Sequence, residues 1–197
     1  QQAGRQSEAR SAQAQVLELN PEHLGALAAL ANLEREAGRP QEVLALSRRL
    51  QSLEAGRAFG WLLAGDVHSV AESFGKAADA YESSYQAQAT TESAIKYFEA
   101  RRRAGDLQQA RRLLADRVDA VPADAQSRMV LGTSYLETGE YDRALPHYEI
   151  LVEQVPGNAI VLNNLAFMYL RQGDERALAM AREAHRLAPE IPHIKDT

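Results

Sequence analysis

The sequence predicts an all-α protein, an array of about five full helical hairpins with a partial hairpin at each end. Three observations carry that prediction. Between Ala125 and Asn158 run Leu131-Gly132, then Tyr135, Gly139, Tyr141, Ala144, Tyr148, Leu151 and Pro156, small and large residues in the order of a helix-turn-helix unit of about 34 residues. Pro122 and Pro156 stand 34 residues apart, and steps of 33 or 34 carry the register back through Ala89 and Ala55 to Pro21 and forward to Pro189. Good helix formers (Ala, Leu, Glu, Arg, Gln) dominate the 197 residues, and β-branched residues are scarce.

Taken in chain order, residues 1–23 hold only the second helix of a partial repeat, at about 5–20. Full repeats are expected at 24–57, 58–90, 91–124, 125–158 and 159–191, and 192–197 begin a further one. Each repeat opens with a helix A and closes with a helix B. Gly38, Gly105, Gly139 and Gly173 fall at the turn between the two, where left-handed geometry suits glycine. In the second repeat that position is Glu72, so its turn is expected to shift, with Gly75 as the substitute. The prolines close helix B, where a missing N–H costs nothing and further helix is blocked.

Small residues recur where the two helices must cross: Ala31, Gly65, Gly132 and Ala166 on helix A, and Ala77, Ala110, Ala144 and Ala177 on helix B. Antiparallel helices approach closely only where side chains are small. Trp61, Leu131, Tyr135, Leu165, Tyr169, Tyr81 and Tyr148 then fill the spaces beside them as core, rather than forming a cofactor box.

On these residues the chain resembles the tetratricopeptide-repeat superfamily along nearly its whole length. The resemblance implies a right-handed superhelical α-α solenoid whose helices A line a concave groove that binds a peptide or partner protein. A narrower resemblance lies near the C-terminus. Val161-Leu162-Asn163-Asn164-Leu165-Ala166, Leu187-Ala188-Pro189 and the terminal Asp196-Thr197 resemble the tail of bacterial repeat lipoproteins associated with exopolysaccharide production and PEP-CTERM protein sorting. That resemblance implies a periplasmic, outer-membrane-anchored parent; without it the chain would be cytoplasmic.

The family's groove positions fall on Asn32 and Arg35, then Phe59, Leu62 and Asp66, then Glu92, Ile95, Lys96, Glu99 and Arg102. They continue at Gln126, Met129 and Thr133, and at Ile160, Asn163, Asn164, Phe167 and Arg171. Spacings of three, four and seven residues put each set on one helical face. Apolar anchors separated by amides and single charges suit an extended peptide or a partner helix. Family members that hold chaperone C-termini use a carboxylate clamp. The equivalent positions here are Ala28, Asn32, Leu63, Glu92 and Lys96, which lack two of its basic residues.

The remaining features narrow the class of function. A net charge of −5 disfavours a nucleic-acid partner. The absence of cysteine excludes thiol catalysis and zinc-thiolate sites. No apolar run approaches the roughly 18 residues of a membrane span. The chain opens Gln1-Gln2 without Met, as expected of a piece of a longer protein.

His23, His68, His147, His185 and His193 show no paired metal spacing, and His68 falls at a packing position on helix A. No nucleophile elbow or phosphate-binding loop occurs. Arg101-Arg102-Arg103 with Arg111-Arg112 are interleaved with acids and read as a solvated helix face. The expectation is a non-catalytic interaction scaffold without cofactor or metal, its truncated ends prone to weak self-association. The alternatives are an arm of a larger enzyme such as a glycosyltransferase, or a polysaccharide- or nucleic-acid-binding array.

Overall fold

A computed structural model describes residues 2–189, and for residues 2–4 the backbone alone. The partial repeat expected at 192–197, with Asp196-Thr197 and His193, lies outside the described residues. Among the described residues the structure is helical, with no strand. The helices are α1 (Gln2–Leu19), α2 (Leu24–Glu36), α3 (Pro40–Ser52), α4 (Arg57–Val70), α5 (Phe74–Ala87) and α6 (Thr91–Arg103). They continue with α7 (Leu107–Ala120), α8 (Ala125–Glu137), α9 (Tyr141–Gln154), α10 (Ala159–Gln172) and α11 (Arg176–Leu187). A single 3₁₀ turn, Glu54–Gly56, precedes α4.

Helices α2, α6, α8 and α10 begin where a side chain satisfies the first free N–H groups. His23 Nδ1 accepts from the Ala26 N–H at 3.0 Å before α2. Thr90 Oγ1 accepts from Ser93 N–H before α6, Asp124 Oδ1 from Ser127 N–H before α8, and Asn158 Oδ1 from Ile160 and Val161 N–H before α10. Helix α4 starts from Gly56 with no side-chain cap and follows the 3₁₀ turn instead.

The turns α2–α3, α4–α5, α6–α7, α8–α9 and α10–α11 share one hydrogen-bond pattern. Arg39, Ser73, Asp106, Glu140 and Asp174 each donate their N–H to the carbonyl five residues earlier, at 2.9–3.0 Å. The preceding residue is left-handed in each: φ is 67° at Gly38, 88° at Gly105, 76° at Gly139 and 70° at Gly173. This is the Schellman closure of a helix C-terminus. The second turn does not shift, contrary to the sequence expectation. Glu72 itself takes φ 55°, and Gly75 lies inside α5. Two closing hydrogen bonds, Glu72 N–H to Ser69 O and Ser73 N–H to His68 O, hold a residue that would otherwise avoid that geometry.

The described residues divide into two compact units, one up to Ala110 and one from Arg111 on. In the first, Leu17, Ala26, Leu27, Ala31, Val43, Leu46, Leu50 and Leu63 form a core. Gly60 is forced by close approach, since a Cβ there would stand 2.7 Å from the Ser47 carbonyl. In the second, Ala144, Tyr148, Leu151, Val161, Leu165, Met168, Tyr169 and Ala177 form the core, beside a smaller cluster of Leu162, Ala184 and Ala188. The crossing positions Ala31, Ala77, Ala110, Ala144 and Ala166 are fully buried. Tyr81, Tyr148 and Tyr169 are core, whereas Trp61, Tyr135 and His68 are half-buried.

Candidate functional site

In the first unit, five of the sequence-predicted groove residues (Arg35, Asp66, Ile95, Lys96 and Glu99) line one cavity of about 820 Å³. Arg39, Val43, Val67, Val70, Tyr81 and Arg103 line it with them. The cavity lies at the C-terminal ends of α2, α4 and α6, closed on one side by the start of α3. An ionic pin fixes its wall. Lys96 Nζ lies 2.5 Å from Asp66 Oδ1, and the Tyr81 hydroxyl donates to the same oxygen at 2.8 Å. Burial, then the hydrogen bond to Asp66, pushes the Tyr81 hydroxyl well above its ordinary value, so it stays protonated and remains the donor. Lys96 also sits 3.6 Å from Glu92 and 5.7 Å from the centre of the Tyr81 ring.

The other predicted residues of this unit surround the cavity without lining it. Asn32 accepts from Arg35 Nη2 at 3.2 Å, and Arg102 pairs with Glu99 at 2.7 Å. Phe59 packs against the core, and Leu62 is half-buried. Behind the cavity lies a feature the sequence did not signal. Glu34 is 2% exposed and receives two guanidinium groups, from Arg39 and from Arg10 of α1, the latter at 2.6 Å. Only the fold brings residues so far apart in sequence to one carboxylate.

The second unit presents α8 and α10. The Tyr148 hydroxyl joins two predicted residues, standing 3.0 Å from Thr133 Oγ1 and accepting from Asn164 Nδ2 at 3.0 Å. Met129 and Phe167 pack partly against the core. The Phe167 ring meets Tyr141 edge-on at 5.6 Å, with the Arg171 guanidinium 4.4 Å from the Tyr141 ring centre. Gln126 and Ile160 are exposed.

Asn163 departs from the expected face. It is 6% exposed, and its Oδ1 has no protein partner among the described residues. Its neighbour Asn164 is the one that turns toward the Tyr148 hydroxyl, because successive residues on a helix are about 100° apart.

The arginine-rich stretch is a solvated face only in part: Arg102, Arg103 and Arg112 are exposed as the sequence reading expects, whereas Arg101 and Arg111 are not. Arg111 is buried, donating to Ser134 Oγ at 2.8 Å, to the Ser134 carbonyl, to Thr138 Oγ1 and to Glu140 Oε1. Its guanidinium also stacks 4.5 Å from the Tyr135 ring centre. Arg101 bonds the Tyr97 hydroxyl and pairs with Asp79 and Glu82. Both serve packing between helices. A partner-rich pocket of oxygens and an aromatic ring explains why a cation can be buried there.

Residues 97–159 and 129–190 match the family model described as tetratricopeptide repeat. Residues 97–190 therefore resemble tetratricopeptide repeats in sequence, and the fold of the described residues is that of an all-α tetratricopeptide-repeat solenoid. Solved structures with the same fold include YrrB, described as a TPR protein with an unusual peptide-binding site. It is 23% identical with a TM-score of 0.69, over 94% of this chain and 96% of that one. MamA from Desulfovibrio magneticus RS-1 is 16% identical with a TM-score of 0.64, over 86% of this chain and 97% of that one. PilF of Pseudomonas aeruginosa is 16% identical with a TM-score of 0.69, over 99% of this chain and 90% of that one. No curated protein matches the sequence at a significant level. No helix among the described residues is long and apolar enough to cross a membrane.

Proposed function

We propose that this chain is a protein-interaction scaffold that binds a peptide or partner protein on the helix-A faces of its repeats, delimited as 24–57, 58–90, 91–124, 125–158 and 159–191. The observation that carries the reading is the convergence of Arg35, Asp66, Ile95, Lys96 and Glu99 on one open cavity. Groove positions read from the sequence meet there in a concave surface with an apolar wall and a charged rim, the anatomy of a peptide site. The fold shared with YrrB, described as having a peptide-binding site, supports the same reading.

The finer reading is a role in bacterial exopolysaccharide and protein-sorting assembly, as part of an envelope lipoprotein. It rests on the Val161–Ala166 and Leu187–Pro189 motifs and is tested by the sequence upstream of Gln1, where a lipobox cysteine would be found.

The scaffold reading is tested by capture of partners from lysate of the source cell. Phe59, Met129 and Phe167 pack partly against the cores, so their replacement would confound binding with stability. Ile95→Glu and Ile160→Glu place a charge on each unit's face instead. Both variants are expected to keep helicity by circular dichroism and to lose captured protein. Undiminished capture by the double variant would remove the helix-A faces from the binding surface.

A further inference from the structure

The cavity of the first unit is unbalanced in charge. Four of its lining side chains are cations (Arg35, Arg39, Lys96, Arg103) and two are carboxylates (Asp66, Glu99), in a chain whose net charge is −5. Most of these charges are already satisfied. Lys96 is pinned to Asp66, Glu99 is paired with Arg102, and Arg39 is held by Glu34.

Arg35 and Arg103 differ. Both are exposed, and neither has a carboxylate partner among the described residues. Arg35 donates to the neutral amide of Asn32, and the Arg103 guanidinium lies 5.3 Å from the Phe74 ring centre. Between them the wall is aliphatic, formed by Val67, Ile95 and Val70, and Val70 is 87% exposed. Arg35, Val70 and Arg103 stand in the last turns of α2, α4 and α6. Helix C-termini carry partial negative charge and by themselves repel an anion, so any acidic ligand must be recognised by the arginines.

We propose that this cavity takes an acidic peptide segment with an aliphatic anchor. The anchor side chain seats against Val67, Val70 and Ile95, and flanking carboxylates reach Arg35 and Arg103. A planar guanidinium is suited to bidentate pairing with a carboxylate, and covering Val70 removes from water the most exposed apolar side chain at the cavity. The inference rests on the scaffold reading above and specifies the ligand at one place on it.

The test selects a phage-displayed random nonapeptide library on the full chain, on the double variant Arg35→Glu/Arg103→Glu, and on Arg48→Glu, an exposed charge outside the cavity. The unaltered chain is expected to enrich Asp or Glu on either side of Leu, Ile or Val. The best synthetic peptide should bind about tenfold more weakly to the double variant and equally well to Arg48→Glu. The double variant should itself enrich Lys and Arg.

Enriched peptides without acidic bias, or affinity indifferent to the double variant, overturn the proposal. So does the absence of any enrichment. In each case the scaffold reading stands if Ile95→Glu and Ile160→Glu still abolish capture from lysate, and falls if they do not.

Discussion

Gly65 lies under the ring of Tyr81 so closely that a methyl group on it would stand 2.4 Å from Tyr81 Cε1. The contact joins the tightest crossing of α4 and α5 to the cavity wall, because the same tyrosine donates its hydroxyl to Asp66. Gly65→Ala is expected to destabilise by about 1–3 kcal/mol, since the ring is buried and cannot yield without disturbing its neighbours. Chemical denaturation measures this. Gly75→Ala is the control: nothing lies near that position, and a gain of about 0.4–1 kcal/mol is expected there.

Glu72 is held in left-handed geometry by a turn whose counterparts use glycine. An L-residue there costs about 1–2 kcal/mol, and glycine returns part of that as extra freedom in the unfolded chain. Glu72→Gly should therefore stabilise by about 0.5–1 kcal/mol, read as a raised melting temperature. The Glu72 side chain is exposed, so no contact is lost. A lower melting temperature would mean that the left-handed residue carries no strain.

Arg117 and Asp124 form an ion pair at 2.5 Å with both side chains over nine-tenths buried. Asp124 also caps α8 through the Ser127 N–H and accepts from the Ser127 hydroxyl at 2.9 Å. Asp124→Ala is expected to cost about 3–5 kcal/mol, because it removes the carboxylate paired with a buried guanidinium and opens a cap together. In a double-mutant cycle with Arg117→Met, the two losses should be well below additive. Additive losses would show that the pair is not coupled.

His147 is held below its ordinary pKa, first by burial and then by the charge of Arg128, with Asp119 opposing. Its Nδ1 is buried without a protein partner among the described residues. A folded pKa below the unfolded value of about 6.5 means that the unfolded chain binds the proton more readily. The neutral ring's contribution is present above pH 6.5 and is lost as pH falls from there through the folded pKa. Stability measured from pH 7.5 to pH 5 should decline, and His147→Gln should flatten that decline. An unchanged slope in the variant would assign the acid sensitivity to other groups.

The turns and crossings were legible in the sequence because they are local or periodic. Gly38, Gly105, Gly139 and Gly173 announce a backbone geometry few residues adopt, and Ala144 or Gly132 announces a close approach. Glu72 was misread because a cooperative pair of closing hydrogen bonds overrode one residue's preference.

Charge was harder to read than shape. Arg111 and Arg102 look alike in the sequence, yet one is buried in a cage of oxygens built from α8 and its turn, and the other lies on the surface. Partners 23 to 29 residues away decide the matter, and no local pattern encodes them. Asn163 and Asn164 show the same limit on a finer scale, since one step along a helix separates core from face.

Glu34 answers to two masters. Its buried carboxylate is shared between Arg10 of the first helix and Arg39 at the cavity. Trimming the chain ahead of α2 would remove Arg10 and leave that carboxylate to Arg39. The N-terminal helix thus bears, through Glu34 and Arg39, on the charge balance of the proposed binding cavity, and a cut made for convenience at one end would alter that balance.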